Sequence, residues 1–235
     1  MKYVLLLILL GFAACHSKQQ TGNLPASQPL PGIIPSTPAH ISYTDFSCNQ
    51  TQLSNQFDVV VTFRSYKDIA LDHDSSLLRM LIKDKKTKIL LDTISITLHQ
   101  IYDEMYTSCD SMTSFTTGFH ATREAMDNWV GDIVIADLNF DNRDDIAAVR
   151  DAGGNGGPFY NYYIQSPDKK FVFDSFLTDS VSYFPSTIDK PQKYLITLVQ
   201  AGACCVGRHV YHLDIKTGTW SETSHKILGD KITEN

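Results

Sequence analysis

Three times along this chain an apolar run of strand length enters a short polar turn and leaves it as another apolar run. Residues 77–83 and 89–98 flank Asp84-Lys-Lys-Thr-Lys88; 160–165 and 171–176 flank Ser166-Pro-Asp-Lys-Lys170; 210–215 and 219–223 flank Lys216-Thr-Gly218. Turns this short join antiparallel neighbours, because a parallel pair needs a long crossover connection. Phe57-Asp-Val-Val-Val-Thr-Phe63 adds a β-branched run, and residues 194–200 add a further apolar one. Both have strand composition. From Ile41 onward the chain therefore reads as mainly β, an antiparallel sheet or β-hairpin domain. Helix signals are confined to short turns at 101–105 and 121–128. The recurring hairpins suggest duplicated units, though no fixed period runs through them.

The 235 residues do not all belong to that domain. Residues 1–15 read MKYVLLLILLGFAAC: Lys2 supplies a positive start, 4–10 an apolar core, and Ala13 and Ala14 precede a cysteine. The apolar run is too short to cross roughly 30 Å of hydrocarbon, which makes it a signal peptide rather than a membrane span. The Phe-Ala-Ala-Cys ending resembles the lipobox of bacterial lipoproteins, with Phe12 where leucine is usual. That resemblance implies lipid on Cys15; the alternative is an ordinary cleaved signal. Residues 16–40 hold five of the nine prolines and almost no charge. Proline removes amide donors and resists regular structure, so this stretch is a semi-extended tether. Residues 41–235 remain for a single β domain, too few for two ordinary ones. After Cys15 come His16, Ser17 and Lys18 with no acidic run, and we expect an outer-membrane anchor facing the periplasm, with the lipid as the sole membrane contact.

Charge narrows the partners. Twenty Lys and Arg stand against 26 Asp and Glu, a formal charge of −6. Loss of Lys2 with the leader makes it one unit more negative. The densest basic run, 83–88, sits in a turn, so nucleic acid is not an expected partner. Cys48, Cys109, Cys204 and Cys205 form an even set in an exported chain, which points to disulfides. A bond between adjacent Cys204 and Cys205 would strain its short ring, and the preferred pairing joins Cys48 and Cys109 to the 204/205 pair. The rival is a metal site of these thiols with His209, disfavoured in an oxidising compartment.

One segment carries distinct chemistry. Residues 137–145, DLNFDNRDD, place Asp137, Asn139, Asp141 and Asp145 at positions 1, 3, 5 and 9 of a loop, between apolar runs 133–135 and 146–149. Calcium takes six to eight hard oxygens, and this spacing lets one tight turn supply most of them. The carbonyl of Arg143 would serve at position 7, and Asp145 directly or through water. Position 6 calls for a left-handed residue, and Asn142 is the best substitute for glycine there. Asp144 points away in this reading, or ligates if the loop is offset. Position 12 is Ala148 rather than glutamate, so this is no EF-hand. The alternative is a solvated acidic turn. Calcium is the expected cofactor, with a structural role.

These residues resemble the calcium loop of FG-GAP/VCBS-type β repeats, found in integrin-like propellers. Residues 130–176 are similar to one subgroup in particular. There the loop is followed by a glycine-rich turn, an aromatic strand and a hairpin, here Gly153-Gly-Asn-Gly-Gly157, Tyr160-Asn-Tyr-Tyr163 and Ser166-Pro-Asp-Lys-Lys170. That subgroup resembles periplasmic lysozyme-inhibitor and immunity proteins. The resemblance implies a propeller-blade-like or inhibitor-like domain. In it Gly153, Gly154, Asn155, Gly156 and Gly157 would plug an enzyme cleft, with Tyr160 or Tyr162 as a polar aromatic anchor. The alternative is a hairpin connection whose tyrosines pack on the sheet.

No nucleophile-elbow or zinc-protease signature occurs. Asp103 and Glu104 are neighbours that point apart on a strand, and His209 and His212, three residues apart, would lie on opposite faces. The reading is a non-enzyme: a calcium-binding lipoprotein that binds a protein or glycan in the cell envelope, in its narrower form a peptidoglycan-cleaving hydrolase inhibited through 153–163. The alternative is an adhesion or scaffold module without inhibitory activity.

Overall fold

The computed structural model describes residues 41–68, 73–98, 106, 108–112, 114–115, 130–154 and 157–229. The expected leader with Cys15, the expected tether and both helical expectations lie outside them. The domain is mainly β, built as three sheets in which strand order follows chain order.

The first sheet is a meander of β1 (Ile41–Gln50), β2 (Phe57–Asp68), β3 (His73–Asp84) and β4 (Leu90–Leu98). The second contains β5 (Ser114–Phe115), β6 (Ile133–Ala136), β7 (Asp145–Asp151), β8 (Phe159–Gln165) and β9 (Phe171–Phe173). Of its pairs only the short β5–β6 contact is parallel. The third is β10 (Thr187–Asp189), β11 (Tyr194–Gln200), β12 (Val206–Asp214) and β13 (Thr219–Leu228), antiparallel throughout.

The second sheet lies between the other two. Side chains alternate between faces along a strand, and here both faces are covered. Ile133, Ile135, Ile146, Ala148 and Tyr163 join the core of the first sheet, with Phe57, Val59, Val61, Met80 and Ile94. Val134, Ala136, Ala147, Val149, Tyr160 and Tyr162 join the core of the third, with Leu195, Tyr211, Leu213 and Trp220. That is why 133–136 and 146–149 read as continuous apolar runs instead of alternating ones. Each fully buried aliphatic side chain here contributes about 1.5–3 kcal/mol. At the far edge β13 keeps only Trp220 buried, and its Glu222 and Lys226 give the unpaired edge the polar character that discourages further strand addition.

The hairpin turns share one device. Asp84, Asp189 and Asp214 each accept backbone amides of the following turn through Oδ1. Four residues later Lys88, Lys193 and Gly218 take a left-handed conformation, with φ of 59°, 61° and 68°. The 166–170 turn closes the same way at Lys169, φ 65°. Strand β9 stops at Phe173, short of the expected 176. Asp174 there accepts the amide of Leu177 at 2.8 Å and opens a π-type helical turn, Leu177–Val181, that covers the second core.

The disulfide pairing differs from the expected one. Cys48 on β1 joins Cys109 in a 3-10 turn, Cys109–Ser111, with Cα atoms 5.6 Å apart, and Cys204 is paired with Cys205. Cys48 is buried in the first core and Cys109 packs against it. Cys204 and Cys205 lie between β11 and β12, beyond the intervening second sheet, so the crossed pairing is out of reach.

The Cys48–Cys109 bond closes a separation of 61 residues, for which loop-closure entropy gives about 4 kcal/mol. We expect replacing both by alanine to lower unfolding stability by roughly 2–4 kcal/mol, and replacing Cys204 and Cys205 to cost far less, read from urea midpoints. The carboxylate of Asp84 is held well below its ordinary range, first by Lys169 Nζ at 2.8 Å and then by the turn amides. A depressed folded pKa gives stability that is present above the unfolded value near 4 and lost as pH falls below it. Asp84→Asn should therefore flatten the loss of stability between pH 5 and pH 2; an unchanged slope would remove Asp84 from the account.

Candidate functional site

Strand β6 ends at Ala136 opposite Asp145, the first residue of β7, so residues 137–144 form the loop of that hairpin. Asp137 Oδ1 accepts the Asp141 amide at 2.9 Å, and Oδ2 accepts the Asn142 amide at 3.2 Å and Lys190 Nζ at 3.1 Å. Asn139 Oδ1 also accepts the Asp141 amide, at 3.2 Å, and its Nδ2 donates to Asp141 Oδ2 at 2.7 Å. Asp141 Oδ1 accepts the Arg143 amide at 2.8 Å, and its other oxygen pairs with the Arg143 guanidinium. Oxygens from positions 1 and 3 thus converge on one amide, and that of position 5 is hydrogen-bonded to position 3.

Asn142 has φ 65°, the left-handed conformation expected at position 6. Phe140, two residues earlier, is also left-handed at 63°, a cost of about 1–2 kcal/mol for an L-residue. That conformation puts its ring into the second core, 6.0 Å from Trp220, with Lys193 Nζ 5.1 Å from its centroid.

Asp145 is fully buried. Its Oδ2 accepts the amides of Leu138 and Asn139 at 2.8 and 3.3 Å, and Oδ1 accepts the Gln165 amide from β8 at 2.8 Å. With both oxygens on backbone amides it clasps the start of the loop to the next strand. Burial pushes its carboxyl up to about 8, and the nearby Asp141 adds to the rise, against the lowering by the amides. Asp144 turns away, accepting Ser54 Oγ at 2.6 Å from the first sheet. Arg143 also donates from Nε to the Gln165 carbonyl at 2.9 Å. The donor set fits a hard divalent cation at Asp137, Asn139 and Asp141. Lys190 and Arg143 sit against the Asp137 and Asp141 carboxylates and offset part of their negative charge.

The tyrosines after the glycine-rich turn take the alternative placement, packed on the sheet. Tyr160 and Tyr162 are 0% exposed. They face the third sheet, and their hydroxyls donate to the carbonyls of Gly131 at 2.8 Å and Tyr183 at 2.6 Å. Buried and satisfied, they are core residues and not partner anchors. Gly153 and Gly157 have φ of 65° and 92°, and the Gly157 amide donates to the Gly154 carbonyl. A Cβ on Gly153 would lie 2.0 Å from the Gly157 carbonyl oxygen, so glycine is required for the turn to close on itself. Asn155 and Gly156 lie outside the described residues.

Beside the 137–145 loop is a feature that sequence reasoning missed, a groove of about 570 Å³. Asn139, Phe140 and Asp141 form one wall; Ile164, Val172 and Phe173 of the β8–β9 hairpin and Leu213, Ile215 and Trp220 of the β12–β13 hairpin form most of the rest, with Asp174 and Lys193 as its charged members. Val172, Phe173 and Ile215 are 58%, 48% and 66% exposed. Strand β12 ends at Asp214, so Ile215, the last residue of the apolar run 210–215, falls in the turn and is exposed there.

The sequence matches no family model, and no curated protein matches it. Among solved structures, a Xanthomonas protein related to a type IV secretion system is similar over 83% of this chain and 91% of its own, at 14% identity and a TM-score of 0.49. Likeness at that level carries no functional conclusion.

Binding at the loop has a direct readout. At a hundredfold excess over Kd an ion that binds only the folded state stabilises it by about 2.7 kcal/mol. Calcium should raise the melting temperature of chelator-treated domain and release or absorb heat in calorimetry. Asp137→Asn with Asp141→Asn should abolish both responses. A melting temperature indifferent to calcium and to chelation would leave 137–145 an acidic turn.

Proposed function

We propose that this chain is an exported lipoprotein, anchored through Cys15 to the outer membrane and facing the periplasm, whose β domain binds a partner protein of the cell envelope. The groove beside the 137–145 loop is its binding face, and calcium, held by Asp137, Asn139, Asp141, the Arg143 carbonyl and Asp145, stiffens one wall of it. The observation that carries this reading is that Asn139, Phe140 and Asp141 belong to loop and groove at once. Solvent-facing Val172, Phe173 and Ile215 continue the groove outward as apolar surface.

A concave apolar site with a few polar groups at its rim suits an apolar side chain presented on a partner's loop. Asp141, Asp174 and Lys193 supply those polar groups. Inhibition of a peptidoglycan-cleaving hydrolase is the narrower form of the proposal. With Tyr160 and Tyr162 buried, an inhibitory contact uses the groove or the 153–157 turn and not those tyrosines.

Val172→Lys with Ile215→Lys alters two exposed side chains and should leave folding intact by circular dichroism. Wild-type domain should retain an envelope protein from extracts in calcium, and should slow at least one peptidoglycan hydrolase of a panel if the narrower form holds. The double variant should weaken capture at least tenfold. Equal capture by both proteins would overturn the groove as the binding face. Capture by neither, with no hydrolase slowed, would favour a scaffold module.

A further inference from the structure

Far from the loop in sequence, the edge of the third sheet gathers a different set of donors. His209 on β12 lies directly across from His225 on β13. Their rings stack with centroids 4.2 Å apart and planes 14° from parallel. Glu222, opposite Tyr211 on the same pair of strands, puts Oε1 2.8 Å from His209 Nδ1. One ligand atom from each of the three side chains lies within 4.8 Å of the others, the one such group of His, Cys, Asp or Glu among the described residues.

The register that makes this cluster is irregular. Val210 pairs with Ser224 but Tyr211 pairs with Glu222, so Thr223 is left as a bulge. In a regular ladder Tyr211 would face Thr223, and Glu222 would point to the other side of the sheet, because faces alternate with every residue. The bulge is what returns Glu222 to the face that His209 and His225 share. Gly207, two residues before His209 on that same face, adds no side chain over the ring: a Cβ there would approach His209 Nε2 to 3.1 Å. His209 is partly buried, and Glu222 and His225 are exposed, so an ion has a route in from solvent.

We propose that His209, Glu222 and His225 form a binding site for a divalent transition-metal ion of the zinc class. Two imidazoles and a carboxylate suit zinc, copper(II) or nickel, whereas calcium and magnesium prefer an all-oxygen set. Three protein ligands on a hydrogen-bonded strand pair leave at least one coordination position for water or for a group from a partner. Ion binding here is chemically separate from the 137–145 loop, and neither reading depends on the other.

Zinc titrated into the chelator-treated full domain should bind with one site per chain. Cobalt(II) used as a probe should develop visible absorption, and the C2 proton resonances of two histidines should shift or broaden. Affinity should fall at least tenfold in Glu222→Gln and more in His225→Ala. Asp137→Asn with Asp141→Asn should leave zinc binding unchanged, which separates this site from the calcium loop. Absence of binding, or zinc affinity equal in wild type and His225→Ala with the same histidine resonances unmoved, would overturn the site and leave a stacked, hydrogen-bonded histidine cluster.

Discussion

At the centre of the middle sheet β6 and the first part of β7 are covered on both faces, and the rest of the domain follows from that constraint. A strand buried on both sides must be apolar on both sides, so β6 and residues 146–149 of β7 are uninterrupted in Ile, Val and Ala. The hairpin connecting them inherits a rigid base. At that base Asp145, fully buried, spends its carboxylate on amides from the loop and from β8. A buried acceptor lacking such partners would be costly. With them it fixes the loop's position against the neighbouring strand, and the groove wall formed by Asn139, Phe140 and Asp141 is fixed with it. The chemistry proposed for this region therefore rests on packing laid down by the two cores.

Much of this was legible from residue order. The three expected hairpins are present, and β11 spans the expected residues 194–200. The left-handed Asn142 follows from loop spacing alone. For Tyr160 and Tyr162 the structure takes the second of the two readings left open, packing on the sheet, and not the anchor role that the resemblance implied: two residues apart in a strand, they share a face, and in a doubly covered sheet either face is core. The end of β9 failed for a related reason. Phe171-Val-Phe-Asp-Ser-Phe176 alternates like a strand, but Asp174 is also a helix-capping residue, and its bond to the Leu177 amide prevails.

Other features depend on which elements meet, which no local pattern encodes. Cys48 pairs with Cys109 because both belong to the first core, while Cys204 and Cys205 are confined to a turn of the third sheet. The groove assembles three hairpin tips from separate parts of the chain. His209 meets Glu222 and His225 only through a ladder containing a bulge, and one residue's change in register would disperse the group.

The left-handed lysines of the turns have a consequence of their own. Glycine would suit the backbone at Lys169 and Lys193 better, but glycine has no reach. Lys169 extends from the second sheet to Asp84 in the first, and Lys193 from the third sheet to the carbonyl and ring of Phe140 in the second. Local strain at each bend is thereby exchanged for a fastener between layers, and those fasteners are cationic. Dissolved ions screen such contacts more readily than they disturb apolar packing. Rising ionic strength should therefore loosen how the layers are joined at their hairpin tips before it affects the layers themselves.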